Sequence, residues 1–194
     1  MVNFRVIARV FSIVIIIEGL FMLLSAGISI LYGEKLSLLF ASIITIVTGV
    51  LVFTPLRNEE KLTGQKEGYI IIAGIWIIVS LMGTLPYLIS GSIRNFSDAF
   101  FESVSGFTTT GATILTNVES MPHGMLFWRS ITQWLGGLGF IIISLSALQV
   151  VRNINIQLPL NDFSGQQGDK IHGKISESAK RLIAIYSILT GIEA

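Results

Sequence analysis

Apolar and polar positions along this chain fall into long blocks, not into short alternations. Residues 8–32, 36–53, 69–89 and 125–151 are apolar runs with few charges, and a fifth run opens at 181. A helix that crosses a bilayer needs about 20 mostly apolar residues, so the pattern predicts an all-α integral membrane chain. The second run lies near the short end of that range, and Pro55 stops it. The fourth is long enough to cross with tilt or a bend. Between the runs lie a short turn at Tyr32–Lys35, a loop of both charge signs at Arg57–Glu67, and a long polar stretch at Arg152–Lys180. The chain therefore divides into an N-terminal transmembrane hairpin (1–56), a loop (57–68), a unit of two spans around a polar insert (69–151), a second loop (152–180) and the start of a further span (181–194).

The insert Asn95–Asn117 is the informative segment. It is too short and too polar to cross a bilayer. Its first half reads as a short helix, with Ser97 or Asp98 available as the cap, Ala99, Phe100, Phe101 and Val104 as apolar contacts, and Gly106 placed to end it. The second half contains Thr108, Thr109 and Thr110, whose β-branched side chains favour an extended backbone. Gly111 follows and allows backbone angles closed to other residues. A short helix followed by an extended threonine–glycine run between two spans has the form of a re-entrant pore loop. Irregular backbone at membrane depth is tolerated only where protein buries it or where it lines water. The chemistry of such a loop is cation coordination: carbonyl and hydroxyl oxygens replace the hydration shell of K⁺, and the helix aims its partly negative C-terminal end at the ion. On spacing alone, an ordinary turn before the next span fits the same residues.

The wording of the segment says more than its spacing. DAFFESVSGFTTTGAT followed by MPHGMLFWRSITQWLGGLGF, with KEGYIIIAGIW and LPYLISG upstream and KISESAKRLIAIY downstream, resembles the Trk/Ktr/HKT family of potassium transporters, and among them the TrkH-type membrane subunits. The resemblance implies a fold of four helix–pore-loop–helix repeats around one pore, each giving one filter loop. It places the filter at Thr109, Thr110, Gly111, Ala112 and Thr113, with K⁺ held by the backbone carbonyls of Thr109, Thr110 and Gly111. It implies potassium uptake across the bacterial cytoplasmic (inner) membrane, passive or by symport, with K⁺ as the transported ion and no other cofactor. It also implies a homodimer of membrane subunits, working with a cytosolic nucleotide-binding ring of the TrkA type. Against that pattern this chain has one filter loop of four and stops within the second repeat, as an N-terminal piece of a longer subunit would.

Charge and composition narrow the rest. Of 194 residues, 52% are hydrophobic and 13% charged, against about 25% charged in soluble domains, which also selects the membrane class. A net charge of +1 gives no reason to expect a nucleic-acid partner. The absence of cysteine excludes disulfides, thiolate metal sites and a cysteine nucleophile. Ten of the thirteen basic residues lie in the N-terminus and the two loops 57–68 and 152–181; only Lys35, Arg94 and Arg129 lie on the other side. Cytoplasmic loops carry the excess of Lys and Arg, so the N-terminus is expected inside and the pore loop outside.

Several single residues call for a reading of their own. Glu18 interrupts the first span and either marks a functional site or faces a neighbouring helix, neutral or hydrogen-bonded. Arg129, one turn into the fourth span, either snorkels to the headgroups or pairs with Glu102 and supports the filter loop. His123 lacks nearby His or Cys partners and reads as a solvated loop residue. Gly49 and the group Gly136, Gly137 and Gly139 read as points of close helix packing or bending. Two further functions compete with conduction. A non-conducting scaffold would tolerate changes at the threonines and Gly111. An intramembrane enzyme would need Ser105 or one of Thr108–Thr110 as nucleophile with His123 as base, and the chain carries no HExxH or G-x-S-x-G pattern.

Overall fold

The computed structural model describes residues 2–57, 65–155 and 168–193, and among them there is no strand. Seven helices follow in order: α1 (Phe4–Leu31), α2 (Ser37–Phe53), α3 (Gln65–Gly83), α4 (Leu85–Ser90), α5 (Phe96–Phe107), α6 (His123–Asn155) and α7 (Gly168–Glu193), with one 3₁₀ turn at Thr54–Leu56. Three stretches are long and apolar enough to cross a membrane among the described residues: Phe4–Leu31, Ser37–Leu56 and Lys66–Ser90. The chain forms two compact units, Met1–Gly136 and Gly137–Ala194.

In the first unit α1 and α2 pack as an antiparallel hairpin over a seam of small and polar residues. Ser12, Ile15, Gly19, Met22, Ser25, Ala26 and Ser29 of α1 are buried, as are Leu38, Ala41, Ser42, Thr45 and Gly49 of α2. Small side chains let membrane helices approach closely. A Cβ on Gly49 would come within 2.6 Å of Ile16 Cγ1 and 3.1 Å of the Ile16 backbone nitrogen, so the close-packing role expected of Gly49 is met. The seam hydroxyls are satisfied within their own helices: Ser12 donates to the Arg9 carbonyl at 2.7 Å, Ser42 to Leu39 at 2.8 Å and Thr45 to Ala41 at 2.9 Å. The large apolar side chains face outward, among them Leu20, Leu24, Phe40, Ile44 and Leu51. This arrangement suits lipid as the surrounding solvent, because hydrocarbon and leucine are alike and only packing and polar contacts reward inward placement.

The third apolar run is not one straight helix. α3 ends at Gly83, and α4 restarts with Thr84 at its cap and Pro86 in its first turn. Proline has no N–H to give to Met82 and its ring clashes with that carbonyl, so the helix breaks at Gly83 and does not continue unbroken over 69–89. Thr84 covers the break by donating its hydroxyl to the Ser80 carbonyl at 2.7 Å. Gly91, at φ 72°, then ends α4 in the left-handed conformation that favours glycine. The buried core lies where these pieces meet the polar insert: Met22, Leu38, Tyr87, Ala99, Phe107, Met125 and Trp128.

In the second unit α7 begins at Gly168 and not at Arg181, so part of the expected loop 152–180 is helical. Ile171, Ile175 and Ala179 recur at helical spacing there, and the intervening Lys, Glu and Ser residues tolerate helix, which the polarity of the segment concealed. α6 likewise runs four residues beyond the expected end of the fourth span, to Asn155.

The turn of the hairpin is tied to the start of α6 by Glu34. Glu34, in the turn after α1, accepts hydrogen bonds at Oε1 from the His123 backbone N–H and faces His123 Nδ1 at 3.1 Å. Its Oε2 accepts from the Gly124 N–H at 3.1 Å and the Ser29 hydroxyl at 3.0 Å. Glu34 is therefore the N-terminal cap of α6, supplied from 89 residues away. His123 is not a free loop residue: it opens α6 and its ring stacks on Tyr32 with centroids 4.1 Å apart. Burial would raise the Glu34 carboxyl, but the hydrogen bonds from Gly124, His123 and Ser29 outweigh it and hold the group below the ordinary carboxylate range. A depressed carboxyl contributes stability that is present above its unfolded value and lost as pH falls through the folded one. Glu34→Ala is expected to lower stability by about 1 kcal/mol, the usual worth of a helix cap. Thermal unfolding of the purified protein in detergent would check this: the deficit should shrink below the ordinary carboxylate range, where the wild type also loses the charge.

Candidate functional site: a helix-anchored loop

The polar insert folds as a helix and an anchored loop. Asn95, not Ser97 or Asp98, caps α5: its backbone is extended and its side chain accepts from the Ser97 N–H at 3.1 Å. Asp98 sits in the first turn, where a carboxylate favours the positive end of the helix. The helix does not stop at Gly106. Thr108 is the C-terminal cap, the Thr109 N–H reaches the Gly106 carbonyl at 3.0 Å, and the Thr110 N–H reaches the Ser105 carbonyl at 3.0 Å. This pair of bonds is the Schellman closure, which needs a left-handed residue just past the cap. That residue is Thr109, at φ 56°. Glycine usually fills such a position, and a β-branched residue there is strained. Gly106 is instead buried within the helix, where a side chain would strike Thr132 of α6.

Gly111, two residues on, is also left-handed, at φ 73°. A Cβ there would meet nothing within 4 Å, so its backbone angle and not crowding inside this chain is what requires glycine. Thr108, Thr109, Thr110 and Gly111 are exposed. The Thr108 hydroxyl donates to the Val104 carbonyl at 2.8 Å and lies 2.8 Å from the Thr110 hydroxyl. Among the described residues, no hydrogen bond is made to the carbonyls of Thr109, Thr110 or Gly111.

The far side of the loop is fastened. Glu102 of α5 is 1% exposed and binds three donors. Its Oε1 accepts from the Thr113 hydroxyl and, at 2.8 Å, from the Ile114 N–H. Its Oε2 lies 3.2 Å from Arg129 Nε. Arg129 is 15% exposed, so it forms the pair with Glu102 and does not snorkel. The Thr113 hydroxyl also receives the Leu115 N–H at 3.1 Å. Ser105 donates its hydroxyl to the Ala112 carbonyl at 2.6 Å. Thr109, Thr110 and Gly111 therefore keep free carbonyls, while Ala112 and Thr113 are spent on holding the loop. α6 closes the back: a side chain on Gly136 would overlap the Phe107 carbonyl, so that glycine permits direct contact with the end of α5. Trp128, fully buried, donates to the Gly83 carbonyl at 3.4 Å and meets Phe107 edge-on.

Ser105, Glu34, Trp128 and Gly83 carry parts of this arrangement that the sequence did not single out as supports. Ser105 came into view only as a nucleophile, and its hydroxyl is committed to Ala112 while the His123 ring faces Glu34. Among the described residues no group of three His, Cys, Asp or Glu side chains could hold a metal ion.

Removing one partner of a buried pair leaves the other charge uncompensated and costs about 3–5 kcal/mol. Glu102→Ala is therefore expected to lower the thermal midpoint more than Arg129→Ala, because it also releases Thr113 and Ile114. The charge swap Glu102→Arg with Arg129→Glu should recover part of the loss of either single reversal. A swap no more stable than the singles would mean that the loop contacts, and not the ion pair, dominate.

Residues 36–193 match the family model TrkH, described as a cation transport protein. The potassium uptake protein TrkH of the Trk system from Escherichia coli K12 is 33% identical over 192 residues, which is 97% of this chain and 40% of that protein. An uncharacterized cation transporter of Methanocaldococcus jannaschii is 32% identical over 181 residues, covering 91% of this chain and 37% of the other. The crystal structure of the potassium transporter TrkH from Vibrio parahaemolyticus superposes with a TM-score of 0.80 at 29% identity, over 97% of this chain and 38% of that one. The chain thus spans about 40% of the length of these relatives. With the family model matched over most of its length and a membrane-helix fold shared with a solved member, the chain belongs to the TrkH family of cation transport proteins.

Proposed function

We propose that this chain is the filter-bearing N-terminal part of a potassium uptake subunit, and that the carbonyls of Thr109, Thr110 and Gly111 form one of four loops coordinating K⁺. The observation that carries it is the state of those carbonyls: exposed, without hydrogen-bond partners among the described residues, and placed just past the C-terminus of α5. In a membrane protein an unpaired carbonyl costs several kcal/mol unless protein, water or an ion meets it. The end of a helix adds partial negative charge at the same place. Weakly charged oxygens in a ring are what a dehydrating K⁺ needs. Ala112 and Thr113 belong to the filter segment in a different role, holding its outer limb through Ser105 and Glu102.

The names of the bacterial relatives support K⁺ as the cargo: they are potassium uptake proteins. The surplus of Lys and Arg at the N-terminus and in the loops 57–68 and 152–181 supports an N-terminus in the cytoplasm and a pore loop that enters from outside, and the family resemblance supports a bacterial inner membrane. Permeation through such a filter involves no covalent chemistry. The family resemblance further supports a paired membrane subunit and a cytosolic nucleotide-binding ring of the TrkA type, which belong to the complete protein.

Gly111→Ser in the complete subunit tests the assignment. Serine at φ 73° costs about 1 kcal/mol or more, which would turn the carbonyl away from the ion. The expected outcome is a roughly tenfold fall in K⁺ over Na⁺ selectivity, equivalent to about 1.4 kcal/mol, at unchanged membrane expression. Uptake of both ions into potassium-starved cells is the measurement. Wild-type selectivity and affinity would return this loop to an ordinary turn and the subunit to a scaffold.

A further inference from the structure

We propose that Glu18 and Ser103, meeting at Gly83, form a proton-binding site behind the pore helix, with Glu18 holding the proton and Ser103 its hydrogen-bond partner. Glu18 lies at the middle of α1, about 20 Å from either end of the helix by the rise of 1.5 Å per residue. It is 2% exposed, and neither carboxyl oxygen has a hydrogen-bond partner among the described residues. Ser103 of α5 is fully buried and its hydroxyl is likewise unpartnered. Both groups face one point: a Cβ on Gly83 would lie 2.6 Å from Ser103 Oγ and 3.3 Å from Glu18 Oε1. Two atoms at those distances from one point lie no more than about 6 Å apart, a separation that one water can bridge. Three elements, α1, α3 and α5, thus bring two orphaned polar groups to a place reserved by a missing side chain.

Among the described residues no charged group faces Glu18: Arg9, the nearer of the two arginines of α1, stands about 13 Å away along the helix. α2 contains no ionisable residue. The ionisable groups of α3, Lys66, Glu67 and Tyr69, lie in its first turns, far from Gly83. On α4 the group is Tyr87, and on α5 Asp98 stands in the first turn while Glu102 is bound to Arg129 of α6. His123, the other ionisable residue near the start of α6, is held at Glu34. A lone carboxylate here would bear the full cost of a buried charge, whereas the acid form is neutral and gains a donor that Ser103 can accept. Alanine at position 83 would press on Ser103 and on the Phe107 ring and would crowd Glu18. The pairing would join the N-terminal hairpin to α5 on a face about 100° round that helix from Glu102, which anchors the loop.

Infrared difference spectroscopy on the complete subunit in lipid tests this without reading transport, so its outcome is separate from the filter assignment. Wild type minus Glu18→Gln, which keeps size and hydrogen-bonding capacity, is expected to show loss of one carboxylic acid carbonyl stretch at neutral pH. Ser103→Ala is expected to move that stretch to higher frequency, as a weakened hydrogen bond requires. This second variant keeps Glu18 and serves alone if the first accumulates poorly. Loss of an ionised carboxylate band in place of the acid band would overturn the proposal. So would an acid band that Ser103→Ala leaves unmoved.

Discussion

The loop depends on a carboxylate that lies inside the protein. Glu102 sits on the buried face of α5 and gathers the Thr113 hydroxyl, the Ile114 N–H and the Arg129 guanidinium. A buried charge is tolerated only when its lone pairs are met, and each donor here belongs to a segment that must be held in place. Arg129 brings in α6, while Thr113 and Ile114 bring in the limb that leaves the loop. Between those anchors and the Schellman closure at Thr109, the four residues Thr108 to Gly111 have both ends fixed. Held so, Thr109, Thr110 and Gly111 stay exposed, with no hydrogen bond to their carbonyls among the described residues.

The rest of the first unit serves that arrangement through close approach. Gly136 lets α6 touch the end of α5, and Gly83 lets α3 touch both α5 and Glu18. The break at Thr84 exposes the Gly83 carbonyl to the Trp128 indole, so the interrupted helix is tied to α6 by the break itself. Glu34 caps α6 from the hairpin turn, which places the segment after the loop between two fixed points. The hairpin in turn presents apolar side chains outward and small ones inward, as a protein dissolved in lipid does.

The sequence, taken by itself, determined the helical class, the first three membrane-length runs, the hairpin before the insert and the position of the threonine–glycine loop. Those features follow from local physics: an apolar run of bilayer length has one stable form in lipid, and a β-branched run ending in glycine resists helix. It also marked the Glu102 and Arg129 pair as one of two alternatives, because both residues lie beside the loop. The tertiary structure alone decided which alternative holds, that Asn95 caps α5, that Thr109 and not Gly106 ends it, and that α7 starts at Gly168. It alone decided that Ala112 and Thr113 are tied down while Thr109, Thr110 and Gly111 are free. Glu34 reaching His123, Ser103 facing Glu18 and Gly136 meeting Phe107 join residues far apart in the chain. No local pattern encodes such partners, because the free energy that selects them arises only when separate helices exclude lipid together and their remaining polar groups must find one another.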